Sequence, residues 1–210
     1  MVSRDLILAE MTGGKYHVAH LSTRRAVDMV RAAKARGLNI TAEVTPHHFT
    51  LTDAAVSEYD TNAKMNPPLR SQEDVDALRA GIADGTIDAI ASDHAPHHVN
   101  LKMLEFDRAP FGITGLETAV GLALTQLNLP LSRLIELFSL NPQKIMRINP
   151  WGVFEGSDAH LTIMDLSRQW KFDVTQSRSR SRNSPFHGWD MKGKAVGTIV
   201  AGKVVYEDRK

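Results

Sequence analysis

The alternation of strand-like and helix-like segments between residues 16 and 93 constrains this chain more than any other feature. YHVAHLS at 16–22 and NITAEVT at 39–45 are short runs rich in apolar and β-branched residues and read as strands. Between them, from Ser22 to Arg36, Ala26, Val27, Val30 and Ala33 recur at helical spacing behind a Ser/Thr cap, and Gly37 stands where a C-terminal cap belongs. The unit then repeats. Ser71 caps a helix carrying Val75, Leu78 and Ile82, Gly85 ends it, and TIDAIASD at 86–93 is a third strand. Strands joined through helical crossovers form a parallel sheet, so an α/β fold is expected.

Beyond Asp93 the segment 94–115 shows no period and carries two prolines and two glycines, which reads as a long loop. Helices are expected at roughly 116–127 and 132–146. The texture then changes: HLTIMDL, AVGTIVAG and KVVYED look like short antiparallel strands, the last two joined through Ala201-Gly202. A boundary is placed near Pro150, giving segments 1–150 and 151–210.

Composition removes several function classes. A chain that is 42% hydrophobic and 23% charged can bury a core, which excludes disorder and a disulfide-stapled miniprotein. The net charge of +1 provides no broad basic surface for nucleic acid. The alternating Ser/Arg run in TQSRSRSRN at 175–183 lacks interleaved aromatics and reads as a solvated loop. No apolar run of about 18 residues occurs, so no membrane span is expected. Arg4 and Asp5 interrupt the apolar N-terminal stretch, so no signal peptide is expected either. With no cysteine, a thiolate zinc site and a cysteine nucleophile are excluded, any metal must be held by His and carboxylate, and a reducing, cytoplasmic setting fits.

The nine histidines are clustered, and the clusters direct the search for chemistry. Strand alternation puts Val18, His20 and Ser22 on one face and His17 on the other, so His17 and His20 cannot both serve one site. The same alternation aligns Ile87, Ala89, Ala91 and Asp93, with His94, His97 and His98 directly after the carboxylate. His20 and Asp93 are expected at the ends of neighbouring parallel strands, facing one mouth. The plainer readings are a hydrogen-bonded structural histidine and an aspartate cap. Of His47 and His48, at most one can enter a shared pocket, and core packing explains either. In KMNPPLR, Asn66 precedes two prolines, which gives its amide an extended, rigid backbone.

HVAHLST at 17–23, AEVTPHH at 42–48, KMNPPLR at 64–70, IASDHAPH at 90–97 and APFGITGLET at 109–118 together resemble the ordered signatures of dihydroorotases of the long bacterial class. NPQKI, LTIMDL, SRSRNSPFHGW and GTIVAGKVVYE extend the resemblance from about Arg4 to the end. That family belongs to the amidohydrolase superfamily of metal-dependent (β/α)8, TIM-like barrels. The resemblance implies reversible hydrolysis of the cyclic amide of dihydroorotate to N-carbamoyl-aspartate in pyrimidine synthesis, with one or two Zn2+ ions. It implies that His20 is a metal ligand, that Asp93 binds metal and shuttles the proton, and that Asn66, His97, Phe111 and Gly112 contact substrate. It gives no ligand role to His17, His47, His48, His94 or His98. As partners it implies the small-molecule substrate, a homodimer or an aspartate transcarbamoylase complex.

The chain also departs from the family. It contains no His-x-His pair, nor the barrel segments supplying the bridging carboxylate or carbamylated lysine, and it is shorter than the roughly 250 residues of a complete barrel. The expectation is the C-terminal half of such a barrel followed by a small β segment, inactive alone. A hydantoinase or allantoinase, and a non-catalytic scaffold for aspartate transcarbamoylase, are the alternatives. KMNPPLR and VTPHH favour dihydroorotase.

Overall fold

The computed structural model describes residues 1–148 and 152–208, so the boundary placed near Pro150 lies outside the described residues. The chain opens with a helix that the periodicity did not disclose, α1 (Val2–Thr12), which buries only Leu6 and Ala9. Then β1 (Tyr16–Val18), α2 (Arg24–Ala35), β2 (Ile40–Val44), α3 (Gln72–Ala83) and β3 (Ala89–Ile90) follow in the expected alternation. The three strands pair in parallel in the order β1-β2-β3, with Tyr16 opposite Ile40 and Val44 opposite Ile90.

Sequence explains the boundaries of α2 closely. The Thr23 hydroxyl accepts from the Ala26 amide at the start. At the end Gly37 has φ 81, its amide bonds the Lys34 carbonyl, and the Leu38 amide bonds that of Ala33. This pair of bonds needs a left-handed residue after the cap, which glycine adopts without a Cβ clash. Val27, Val30 and Ala33 of α2 pack with Ile40, Ala42 and Val44 of β2 and with Leu78 and Ile82 of α3 in one buried cluster. Thr41 and Glu43 occupy the other, half-buried face of β2.

Two strands stop earlier than alternation suggests. β1 ends at Val18, and His20 has φ 37. The turn there buries Leu21 as fully as Val18, so the expected Val18–His20–Ser22 face does not form. In 86–93 only Ala89–Ile90 is regular strand, although the amides of Asp88 and Ala91 still reach the carbonyls of Ala42 and Val44. Asp93, with φ 43, closes it.

The segment after Asp93 contains one short helix, α4 (Val99–Lys102), inside the expected loop. Next come α5 (Ala119–Gln126), α6 (Leu131–Ile135) and α7 (Asn141–Met146), the last two joined by a π-helical turn over Glu136–Leu140. Pro142 follows that turn. Proline lacks an amide hydrogen and crowds the carbonyl four residues back, which displaces the α-helical ladder in a helix expected to be continuous. The long strands β4 (Leu161–Lys171) and β5 (Asp190–Val200) and the shorter β6 (Lys203–Glu207) form the expected antiparallel sheet, turning at Ala201-Gly202, both at positive φ. A second buried cluster joins Phe172, Phe186 and Met191 of this region to Leu69, Ile113 and Leu122.

His47 and His48 are both buried in the turn after β2, each 2% exposed. His48 Nε2 donates to the Pro67 carbonyl at 2.8 Å, and its Nδ1 accepts the Thr45 hydroxyl at 2.7 Å, which satisfies the neutral ring completely. Burial pushes the His48 pKa down to about 4, against the opposing pull of the Pro67 carbonyl, and burial also drives His47 well below its ordinary value. The unfolded chain takes up these protons near 6.5, so between pH 6.5 and 4 it binds more protons than the folded chain. Stability is therefore full above that window and is lost as pH falls through it, on the order of 3 kcal/mol for His48. Urea unfolding at pH 7 and pH 4.5 should show the loss, and His48→Gln should flatten the dependence. An unfolding midpoint equal at both values would show that the buried ring accepts its proton in place.

Candidate active site

Parallel pairing sends the C-terminal ends of all three strands to one edge, and the segments leaving that edge build a cavity of about 400 Å³. His20 comes from the β1 exit, Asp93, Ala95 and His97 from the β3 exit, Met65 and Asn66 from the segment before α3, and Pro110, Phe111 and Gly112 from the loop before α5. All six residues singled out in the sequence therefore line one cavity. β1 and β3 are not neighbours, as alternation suggested; β2 lies between them, and His20 and Asp93 converge from the two outer strands.

Backbone geometry does this aiming. His20 and Asp93 both occupy the left-handed region, which is uncommon for residues with a Cβ and concentrates where function demands a particular direction. His20 Nδ1 is buried and has no hydrogen-bond partner. Asn66, whose bond to Pro67 is cis, and Asp93 are exposed within the mouth. The His48 bond to the Pro67 carbonyl braces the residue after Asn66 from inside the fold. His97 Nε2 donates to the Phe111 carbonyl at 3.0 Å, leaving Nδ1 as the acceptor of the neutral ring. At Gly112, φ is 144, and a Cβ would lie 2.8 Å from both Ala95 Cβ and His97 Nε2, so the wall closes only around glycine.

Three other histidines of the clusters are engaged in hydrogen bonds that hold the fold. His94 Nδ1 accepts from the amide of Gly115 at 3.1 Å, just ahead of α5, and His98 Nδ1 caps α4 through the Asn100 amide. His17 bonds Thr41 and Glu43 across β1 and β2. Two residues not singled out in the sequence hold the loop that carries Phe111. Lys64 Nζ donates to the carbonyls of Phe106, Asp107 and Ala109, and Lys102 Nζ to those of Pro110 and Gly112. Burial pushes the Lys102 pKa down to about 8. Lys64 stood within a quoted motif, but a lysine that solvates carbonyls has no spacing signature of its own.

The donor set bears on metal binding. An orphaned, buried imidazole nitrogen on His20, in the cavity that also holds the Asp93 carboxylate, suits two protein ligands of a zinc ion. Among the described residues, no group of three or more His, Cys, Asp or Glu side chains is placed to hold a metal.

The amidohydrolase family model matches residues 7–205. The chain is 49% identical over 211 residues to a dihydroorotase of Syntrophus aciditrophicus, covering 99% of this chain and 50% of that protein. It is 52% identical over 206 residues to a dihydroorotase of Solibacter usitatus, covering 96% of this chain and 48% of that protein. In structure it is similar to an L-hydantoinase (dihydropyrimidinase) from Arthrobacter aurescens, with a TM-score of 0.91, 32% identity, and coverage of 100% of this chain and 48% of the other. A D-hydantoinase (dihydropyrimidinase) from Thermus sp. gives a TM-score of 0.91 at 28% identity with the same coverage. The chain thus spans about half the length of the curated relatives it matches. A family match running from α1 into β6, on a fold superimposable on half of a hydantoinase, makes this chain a member of the amidohydrolase family.

Proposed function

We propose that this chain is the C-terminal half of a dihydroorotase: residues 1–150 contribute half of a (β/α)8 barrel and 151–210 a small β segment. The observation carrying this is the convergence of His20, Asn66, Asp93, His97, Phe111 and Gly112, drawn from four separate motifs, on one cavity. Identity of about half to dihydroorotases, against 32% and 28% to the two hydantoinases, supports dihydroorotate over hydantoin as the ring that is opened.

In this reading His20 and Asp93 are two of the zinc ligands, and the others come from the half of the dihydroorotase length that this chain does not span. The chemistry a bound zinc ion supplies is Lewis acidity toward water and the ring carbonyl. Asp93 accepts the proton of the attacking water and returns it to the departing ring nitrogen, so the ring opens to N-carbamoyl-aspartate and closes by the reverse path. Asn66, His97 and the Phe111–Gly112 backbone hold the ring and its carboxylate, and Met65, Ala95 and Pro110 exclude water around it. Partners are the substrate pair and, for the assembled enzyme, a second copy or aspartate transcarbamoylase.

Because two ligands fall short of the three that catalytic zinc takes, the 210-residue chain alone should turn over dihydroorotate negligibly. Joined to the remaining half of a dihydroorotase, it should hydrolyse dihydroorotate, and Asp93→Asn there should lower kcat by about a hundredfold or more while substrate still binds. Robust zinc-dependent turnover by the chain alone would sink this division of ligands. A joined protein that binds zinc yet stays inert would favour the scaffold role.

Positioning and metal ligation separate in the same joined protein. Asn66→Ala and His97→Ala should each lower kcat/KM by roughly ten- to a hundredfold, the worth of a hydrogen bond to a charged substrate, with zinc content unchanged. His20→Ala should lose zinc by elemental analysis. Loss of zinc in His97→Ala but not in His20→Ala would reverse the two assignments, and faster opening of hydantoin than of dihydroorotate would replace the substrate.

A further inference from the structure

Asn183 is 3% exposed, sits in the C-terminal region between β4 and β5, and reaches back to the cavity wall with its side-chain amide and its main-chain carbonyl. Its side-chain nitrogen donates to the Ala95 carbonyl at 2.8 Å and to the Gly112 carbonyl at 3.0 Å. Its side-chain oxygen accepts the His97 amide at 3.1 Å, and its main-chain carbonyl accepts the Thr114 amide at 2.9 Å. The loop after Asp93 and the loop carrying Phe111 touch directly through only a few bonds, among them His97 to the Phe111 carbonyl and the Ala95 amide to the Ile113 carbonyl. One buried amide thus satisfies a donor and two acceptors on both loops at once, groups that would otherwise be costly to bury.

We infer that Asn183 is a positioning residue that sets the placement of His97 and of the Phe111–Gly112 lip, so that the β segment helps to shape the substrate site. Only a side chain with both donor and acceptor fills this role. Aspartate, of the same shape, keeps the acceptor for the His97 amide but opposes the Ala95 and Gly112 carbonyls with a charge. Lys102, which donates to Gly112 from the other side, holds one loop alone. The inference rests on the proposed substrate contacts for its catalytic consequence but not for its geometry, and the test treats the two separately.

The geometric arm uses amide hydrogen exchange by NMR on the whole 210-residue chain. The His97 amide is bonded to the Asn183 side chain, so its protection reports that bond. It should exchange slowly in the wild type. In Asn183→Ala it should exchange about a hundredfold faster while the Val44 amide, in the sheet, changes little. Should Asn183→Ala unfold the chain, seen as equal acceleration of all amides, the wild-type rate and Asn183→Asp decide. Asn183→Asp should retain His97 protection yet shift the Phe111, Gly112 and His97 ring signals. A wild-type His97 amide exchanging at open-loop rates, or Asn183→Asp spectra unchanged at those three residues, would overturn the inference.

The functional arm uses the joined enzyme, with whichever cyclic amide it opens. Asn183→Asp should raise KM about tenfold or more with bound zinc unchanged and kcat little altered, because the groups it places hold the ring and do not move the proton. A purely structural role would lower the amount of active enzyme, and so kcat, at unchanged KM. That result would overturn the inference, whereas a changed substrate would overturn only the reading of the ring.

Discussion

Parallel pairing of β1, β2 and β3 is the constraint on which the pocket depends. Antiparallel neighbours would send alternate strand exits to opposite edges, and the segment leaving β2 with Met65 and Asn66 would part from His20, Asp93 and His97. Parallel strands need covered crossovers, and α2 and α3 supply them by burying Val27, Val30, Leu78 and Ile82 against β2. The face of the sheet bearing His17, Thr41 and Glu43 stays half-buried and polar, bonded internally. The apolar face therefore carries the stability, and the strand ends are left free to carry chemistry.

The strand ends are shaped by residues that break the strand. His20 and Asp93, just past the ends of β1 and β3, turn left-handed, a conformation that costs a residue with a Cβ on the order of 1 kcal/mol or more. Extended backbone at either position would have placed the side chain by the alternation of the pleat. Surrounding contacts hold the turn: the Leu21 amide bonds the Glu43 carbonyl just after His20, and the Ala95 amide bonds the Ile113 carbonyl just after Asp93. Buried, hydrogen-bonded groups hold the other walls, namely His48 behind Pro67, Lys102 behind Phe111 and Asn183 between the two loops. Each of these bonds a backbone carbonyl, so the cavity is held by its main chain and the lining side chains remain available to a ligand.

Much of this was legible in the residues. The caps at Thr23 and Ser71, the glycines at 37 and 85 and the apolar spacing of both crossover helices report local physics, in which a few neighbouring residues decide the outcome. The same holds for the turn at Ala201-Gly202. The weakly amphipathic α1 and the π-helical turn before Pro142 were not legible, since one buries little and the other departs from the 3.6-residue period. Alternation also failed at His20 and Asp93, because period 2 holds only while the backbone stays extended. Motif resemblance named six of the residues that line the cavity without any knowledge of that geometry.

Sequence by itself determined the α/β order, the parallel sheet, the antiparallel C-terminal sheet and the residue types available for chemistry, all of which follow from short-range patterns. Only the tertiary structure decided which of the clustered histidines share a cavity. His94 and His98 each spend Nδ1 on backbone amides, while His97, one residue from His98, faces the mouth. Only the tertiary structure brought Asn183 to Ala95 and Gly112, across 88 and 71 positions of sequence. A hydrogen bond between distant residues leaves no period in the chain, because its partners are selected by packing and not by spacing.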